Sequence, residues 1–207
     1  WNINIPASAR NFNINSSVPF WDINVRKAGA GAGVMTIGDQ QMNHTSLGSP
    51  VTYTAKPLVV LNDLTLINGA TSPTFDASIN NTTDQNVTVG GHFNIQTGCT
   101  YTPGNNTTTF NGTSAQTFTN SGTITSGLYN FIVNKSTGTL TLAGTVATTT
   151  VRNDLTISAG TLADGGKTID VKGNVVNAGT HSGAGNITLS STTAAQTITS
   201  TSGVFGN

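Results

Sequence analysis

Apolar and polar residues alternate over short segments of this chain, and a turn sequence follows each segment within a few residues. Ile3 and Ile5 flank a polar residue, and 139–142 reads Thr-Leu-Thr-Leu. This period of two places the apolar side chains on one face of a β-strand. The segments are rich in Thr, Val and Ile, whose branched side chains suit a pleated sheet. The pattern therefore predicts an all-β protein.

The alternation locates the strands. We expect strands near both ends of 1–19, and the run of Ala and Gly at 28–33 predicts a tight turn after the strand that contains Val25. In the central part, strands are predicted at 58–66, 86–89, 93–95, 107–110, 117–119, 131–133 and 139–142. Further strands are predicted at 150–151, 155–157, 168–171, 175–176, 187–189 and 197–199. Gly-Gly, Asn-Gly and Ser-Gly turns lie between them.

Four sequence blocks recur along the chain in the same order, which makes a chance match unlikely for a composition rich in Thr and Asn. The matched pairs are 62–66 with 153–157, 87–94 with 169–176, 112–118 with 192–198, and 20–27 with 128–135. Each smaller strand–turn unit has roughly 15 to 25 residues, which is the size of one solenoid coil. One such coil cannot bury its apolar side alone, whereas stacked coils share a core.

The sequence therefore predicts a right-handed parallel β-solenoid, with coils about 4.8 Å apart and ladders of Thr and Asn on its surface. A β-sandwich also has short strands, but it gives no reason for ordered repetition. We expect three parts. Residues 1–56 form N-terminal coils with a projecting loop at 39–56, 57–144 form a complete repeat unit, and 145–207 form a second, truncated unit. About ten coils would make a rod on the order of 50 Å long.

Charge is scarce, and this excludes several classes of function. Charged residues make up 8% of the chain, against about a quarter in typical domains, and the net charge is zero. The scattered cations form no basic stripe, so no nucleic-acid partner is predicted. No apolar run is long enough to span a bilayer. Cys99 is the single cysteine, and we expect it to be a small buried apolar residue.

No catalytic, cofactor-binding or metal site is predicted, and the protein is expected not to be an enzyme. His44, His92 and His181 lie in unrelated contexts without zinc-ligand spacing. Asp63 and Asp154 occupy the same position of the repeat, which favours a structural role. A glycosidase-like pair of carboxylates on neighbouring coils remains open.

Three aromatic residues, Trp21, Tyr129 and Phe205, share a repeat position in the sequence alignment. We predict that Trp21 and Tyr129 are buried in the core. The alternative is an exposed row of rings along one groove, which would stack on sugar rings.

The run at 106–118, followed by 128–135 and 138–142, resembles the repeats of very large bacterial surface proteins. These repeats are best known from Bacteroidota adhesins, including gliding adhesins, that are exported by the type IX secretion system. The resemblance covers 57–207 well and 20–38 weakly. It implies an extracellular, cell-surface location, a solenoid stalk or adhesive region, and no cofactor. The partners it implies are surface glycans or abiotic surfaces, and components of the secretion system or the outer membrane.

The first functional hypothesis is a non-catalytic stalk segment that extends and stiffens a large secreted adhesin. The alternative is a β-helix that binds or cleaves polysaccharide, for which a groove of Asp, Arg, Lys and aromatic residues would be diagnostic. A third is a segment held inside a secretion machine.

Overall fold

A computed structural model describes residues 1–5, 7, 11–37, 55–78 and 84–206. Of the predicted loop at 39–56, all but the last two residues lie outside the described residues, and so does His44. The described residues form 22 strands and no helix. The strands are Asn2–Ile5 (β1), Phe12–Ile14 (β2), Ile23–Lys27 (β3), Met35–Ile37 (β4), Leu58–Val60 (β5), Leu64–Leu66 (β6), Thr74–Asp76 (β7), Val87–Val89 (β8), Phe93–Ile95 (β9), Thr100–Thr102 (β10), Thr107–Phe110 (β11), Gln116–Asn120 (β12), Thr123–Ile124 (β13), Asn130–Ala143 (β14), Thr148–Val151 (β15), Leu155–Ala163 (β16), Thr168–Val171 (β17), Val175–Asn177 (β18), Thr180–Ser182 (β19), Asn186–Leu189 (β20), Ile198–Ser200 (β21) and Val204–Phe205 (β22).

The strands stack in parallel on three faces, which confirms the predicted β-solenoid. Face 1 contains β1, β3, β6, β9, β12, the second halves of β14 and β16, β19 and β22. Face 2 contains β5, β8, β11, the first halves of β14 and β16, β18 and β21. Face 3 contains β2, β4, β7, β10 and β13, and then a separate sheet of β15, β17 and β20.

Face 1 has nine rungs, so the described chain makes about eight turns, two fewer than the sequence predicted. At about 4.8 Å per rung the stack is roughly 40 Å long. Stacked residues such as Leu155 and Val175 are 20 positions apart, and Leu64 and Phe93 are 29 apart. The coil is therefore somewhat longer and more variable than the pattern indicated.

The core is a set of inward residues stacked rung upon rung. On face 1, Leu64, Phe93 and Phe118 lie in register and are all buried, while the residues next to them in sequence face outward. The central coils contain a continuous cluster of aromatic rings with centroids 5.2 to 6.3 Å apart, formed by Phe75, Tyr101, Phe93, Phe118, Phe110 and Phe131. Because all six rings are fully or almost fully buried, each removes a large apolar area from water.

The strands of face 3 in the first unit were not predicted. Each of β7, β10 and β13 has one inward apolar residue, namely Phe75, Tyr101 or Ile124, between polar neighbours. Such segments are too short to show an alternation.

The predicted strand 58–66 is in fact two strands, because the chain turns a corner at 61–63.

The two repeat units are rotated relative to each other by one face. Phe93 lies on face 1, whereas Val175, its match in the sequence repeat, lies on face 2. The matched strands β8 and β17 likewise lie on faces 2 and 3. At the joint, the 14-residue strand β14 crosses from face 2 to face 1 and pairs with β11, β12 and β16.

Candidate functional site

The predicted aromatic positions are more exposed than expected. Trp21 is 64% exposed, so the prediction that it is buried is wrong. Tyr129 is half-buried, and the guanidinium of Arg152 lies 5.2 Å from its ring centroid. Phe205 is 43% exposed and packs beside the ring of His181, with centroids 6.3 Å apart.

The structure does not bring these three rings together. Trp21 lies at the corner between faces 2 and 1, since Phe20 bridges Val60 and β3 begins just afterwards. Tyr129 lies at the corner that leads into face 2, because β14 starts at the next residue. Phe205 lies within face 1, one rung above His181. The same stacking is seen on face 3, where Ile124 lies one rung above Tyr101. The rotation of the second unit therefore separates positions that the sequence aligns.

A different aromatic surface is present at the first coil. Trp1 is 73% exposed, and its ring meets Phe20 edge-on with centroids 5.5 Å apart. Beside it lies a cavity of about 410 Å³, whose lining includes Trp1, Ile3, Phe12, Val18 and Phe20. Sequence reasoning missed this surface because Trp1 has no counterpart in the repeat.

Carboxylates and amides at the corners form a ladder that binds one coil to the next. Asp22 Oδ1 accepts hydrogen bonds from Asn62 Nδ2 at 2.8 Å and from the Asp63 backbone N–H at 3.0 Å. Asp63 Oδ1 accepts from the His92 N–H at 2.7 Å, and His92 Nδ1 accepts from the Thr117 N–H at 3.0 Å. This ladder satisfies backbone donors that a corner would otherwise leave unpaired.

A second ladder of the same kind begins at Asn130 and continues into the second unit with different residues. Asn130 Oδ1 accepts from Asn153 Nδ2 at 2.8 Å and from the Asp154 N–H at 3.4 Å. Asp154 Oδ1 then accepts from the Asn174 N–H, and Asn174 Oδ1 from the Thr197 N–H, at 2.7 and 2.9 Å. The structural role expected for the repeated aspartates is therefore observed.

One pair of titratable side chains is buried together. His181 Nε2 lies 3.1 Å from Asp164 Oδ2, and both side chains are almost completely buried. Asp164 Oδ1 accepts hydrogen bonds from the backbone N–H groups of Gly166 and Gly185, at 2.7 and 2.9 Å. A side chain at Gly183 would collide with this carboxylate. The pair thus fixes the turn at 164–166 against the following coil.

Lys135 is the least expected residue of the joint. It is fully buried, and its ammonium donates hydrogen bonds to Gly112 O, Ser114 O and Gln116 Oε1, at 2.6, 2.8 and 2.6 Å. Burial lowers the pKa of this amine. All three partners are uncharged oxygens, so the charge is balanced by dipoles alone.

Gln116 extends this arrangement to a third rung. Its Nε2 donates to Val89 O at 3.1 Å and to Gly91 O, and its Oε1 also accepts from the Gly112 N–H at 2.9 Å. We call Gln116, Lys135 and the turn 112–114 the joint network. Sequence reasoning counted Lys135 only among the scattered cations, since buried lysines are rare.

Two other cations also bind lower coils. Lys167 Nζ donates to Gly144 O at 2.7 Å and to Val146 O at 2.9 Å, from a more exposed position than Lys135. Arg152 donates to Gly104 O and, at 3.1 Å, to Asn105 Oδ1. The few charges of this chain therefore contribute largely to contacts between coils.

Potential nucleophiles in the core are held in their neutral forms. Cys99 is buried, as predicted, and desolvation raises the pKa of its thiol to about 11. Burial likewise raises the pKa of Tyr101 to about 12, although its hydroxyl lies 3.0 Å from Thr108 Oγ1. Neither group supplies a reactive anion near neutral pH.

The interruption of face 3 between β13 and β15 leaves a cavity of about 240 Å³. Thr123, Thr149 and Gly127 contribute to its lining, together with Asn120, whose buried Oδ1 has no hydrogen-bond partner. The cavity has both apolar and polar lining groups and is large enough for a few water molecules.

Within the part of the chain that the structure describes, no group of three His, Cys or Asp side chains is arranged to hold a metal ion. Nor do the described residues include a helix with the length and apolar character needed to cross a membrane. Comparison with known protein families, with curated proteins and with solved structures found no match to this chain.

Proposed function

We propose that this chain is a non-catalytic structural segment of a large secreted cell-surface protein, which holds adhesive parts away from the cell. The observation that carries the proposal is the parallel ladder of face 1, which continues through nine rungs and across the joint between the two units. A parallel stack that buries one core along its whole length suits the work of a stiff spacer.

Contacts between coils support this mechanical role. The joint network spans three rungs, and the two corner ladders each connect four successive coils through backbone donors. Bending the rod would stretch these bonds on its convex side. The load would therefore be shared by many short interactions rather than by one loop.

The surface fits contact with glycans or abiotic materials outside the cell. Charged residues are scarce and the net charge is zero, while outward positions such as Thr65, Asn94 and Thr119 present hydroxyl and amide groups. These groups form hydrogen bonds without the screening by salt that weakens charge-based adhesion. Together with the resemblance to large adhesins, this supports an extracellular location.

Single-molecule force measurements on the full chain, placed between marker domains, test the proposal. We expect stepwise release of coils, most of them of about 20 to 29 residues, so that most steps lengthen the chain by roughly 7 to 10 nm. The coils would yield one after another because each contacts only its neighbours. Extension of the whole chain at forces too low to resolve would contradict a load-bearing role.

A second candidate function, polysaccharide binding, is favoured by the exposed surface at the first coil. Trp1, at the first coil, is 73% exposed, and Trp21, on the second coil, is 64% exposed; these are the two Trp residues of the chain. Exposed indole rings are suitable platforms for the apolar faces of sugars.

Intrinsic fluorescence provides the test, since Trp1 lines this surface and is exposed. Titration with oligosaccharides should change the emission, and Trp1→Ala should abolish the change while Phe205→Ala, at the other end, should not. Release of reducing ends during incubation would identify cleavage. A flat titration across a panel of glycans would exclude this candidate and would leave the mechanical proposal intact.

A further inference from the structure

The last coil repeats the acceptor half of the joint network. Gln196 Nε2 donates to Val171 O at 2.9 Å and to Gly173 O, the counterparts of Val89 and Gly91 in the repeat. Its Oε1 accepts from the Ser191 N–H at 2.7 Å, whereas Gln116 Oε1 accepts from Gly112, the match of the next residue, Thr192. The two glutamines are thus anchored through the same pair of carbonyl groups on the coil below, and each amide oxygen accepts from the turn before it.

The two glutamines differ in what lies above them. Lys135 covers Gln116, which is only 2% exposed. Gln196 is half-buried, and the turn before it, at 192–195, is exposed. The strands β20, β21 and β22 each pair on one side only.

Apolar side chains in the same coil are uncovered as well. Ile198 is 55% exposed although the residue below it in register, Val175, is fully buried. Val204 and Phe205 are 57% and 43% exposed. The surface of the last coil is therefore continuous with the core and resembles an interior rung without its neighbour.

We propose that the turn around Gln196 binds the lysine ammonium of a further parallel coil of this repeat type, one that carries a block like Leu128–Lys135. The acceptors are Gln196 Oε1 and the carbonyl oxygens of Thr192 and Ala194, which match Gly112 and Ser114 in the repeat. The inference concerns how one unit joins the next, and it is independent of whether the rod spaces adhesive parts or binds polysaccharide.

The chemistry of the acceptor set selects the ligand. An ammonium group has three donors and no acceptor, so it suits three converging oxygens. The orientation of the Gln196 amide is fixed, because its nitrogen is already bonded to two carbonyl groups of the coil below. The planar fork of an arginine would not place its donors on all three oxygens.

A second copy of the chain does not provide this ligand at its first coil. Residues 1–20 contain no lysine, and the first lysine, Lys27, lies on the second rung of face 1. The occupant that fits is therefore a coil with the joint sequence itself.

A labelled peptide with the sequence of residues 126–143 tests the inference against the full chain by fluorescence anisotropy. We expect saturable binding as an added β-strand. Replacing the lysine of the peptide by methionine should weaken binding at least about tenfold, since a hydrogen-bonded charge contributes more than 1.4 kcal/mol. Gln196→Met in the protein should weaken binding similarly, whereas Trp21→Ala should leave it unchanged.

Three outcomes would overturn the inference. The first is no measurable binding of the peptide, and the second is equal binding of its lysine and methionine forms. The third is concentration-dependent self-association of the chain in sedimentation experiments that Gln196→Met abolishes, because a second copy would then be the occupant. Thermal unfolding of Gln196→Met, monitored by circular dichroism, verifies that the variant retains its fold.

Discussion

At the residue scale, the joint depends on a lysine whose charge is compensated without a carboxylate. The Lys135 ammonium is bound by Gly112 O, Ser114 O and Gln116 Oε1 in the core. Burying a charge is unfavourable, but removing it would deprive Gly112 O and Ser114 O of this donor and leave Gln116 Oε1 with the Gly112 N–H alone. The second effect is larger because the turn has no room to rearrange: a Cβ at Gly112 would overlap Gly90 O.

We therefore expect Lys135→Met to lower the free energy of unfolding by about 2 to 4 kcal/mol, measured by chemical denaturation. Lys167→Met is the matched control, because that ammonium binds two carbonyl groups in the same way at a more exposed position. Its effect should stay within about 1 kcal/mol. Equal effects of the two substitutions would show that burial of Lys135 is not the reason for its importance.

Cys99 provides a pH-dependent test of core integrity. Because burial raises the pKa of its thiol from 9.0 to about 11, the folded state binds more protons than the unfolded state between these values. The contribution of the protonated Cys99 thiol to the free energy of unfolding is therefore present below pH 9 and is lost as the pH rises toward 11. Cys99→Ala should lose less stability over this range than the original chain.

Thiol reagents at pH 8 should label Cys99 only after denaturant is added, and rapid labelling of the native protein would contradict its burial.

At the scale of elements, the strands are short, and the corners between them determine how coils stack. The Asp22 carboxylate and the Asn130 amide occupy matching positions of the repeated blocks 20–27 and 128–135, and each accepts from an Asn side chain and an Asp backbone N–H. What both residues share is an oxygen at the same distance from the backbone. The acceptor, rather than the charge, is therefore what these corners require.

This equivalence predicts that Asp22→Asn is nearly neutral, whereas Asp22→Ala lowers the free energy of unfolding by about 1 to 2 kcal/mol. Thermal unfolding of both variants at neutral pH is the measurement. A loss of stability in the Asn variant as large as in the Ala variant would indicate that the charge itself matters at this corner.

At the scale of the whole molecule, stability is expected to vary along the axis. The six clustered aromatic rings lie in the central coils, while the first and last coils have uncovered apolar side chains such as Val18 and Ile198. A stack in which each coil contacts only its neighbours unfolds from its weakest end.

Native-state hydrogen exchange should therefore show the greatest protection in β9, β12 and β14 and the least in β20 to β22. Phe118→Leu should reduce protection in the central strands, because it removes ring contacts with Phe93, Phe110 and Phe131. Ile198→Ala, on the last coil, should leave the centre unchanged. Uniform protection along the chain would show instead that the rod unfolds as one cooperative unit.

The sequence by itself determined the parallel solenoid, because alternation and ordered repetition can both be read from the order of residues along the chain. It also indicated the structural role of Asp63 and Asp154 and the burial of Cys99. Segments such as β10 escaped prediction, since a single inward residue between two threonines has no period to detect.

Only the tertiary structure decided how the two units meet. A sequence alignment places Trp21, Tyr129 and Phe205 together, but the rotation of the second unit by one face puts them at different sites. The same rotation brings Lys135 above Gln116, two residues that the repeat assigns to different corners. Contacts between stacked coils depend on which face each strand occupies, and that is fixed by packing over the whole stack rather than by local sequence.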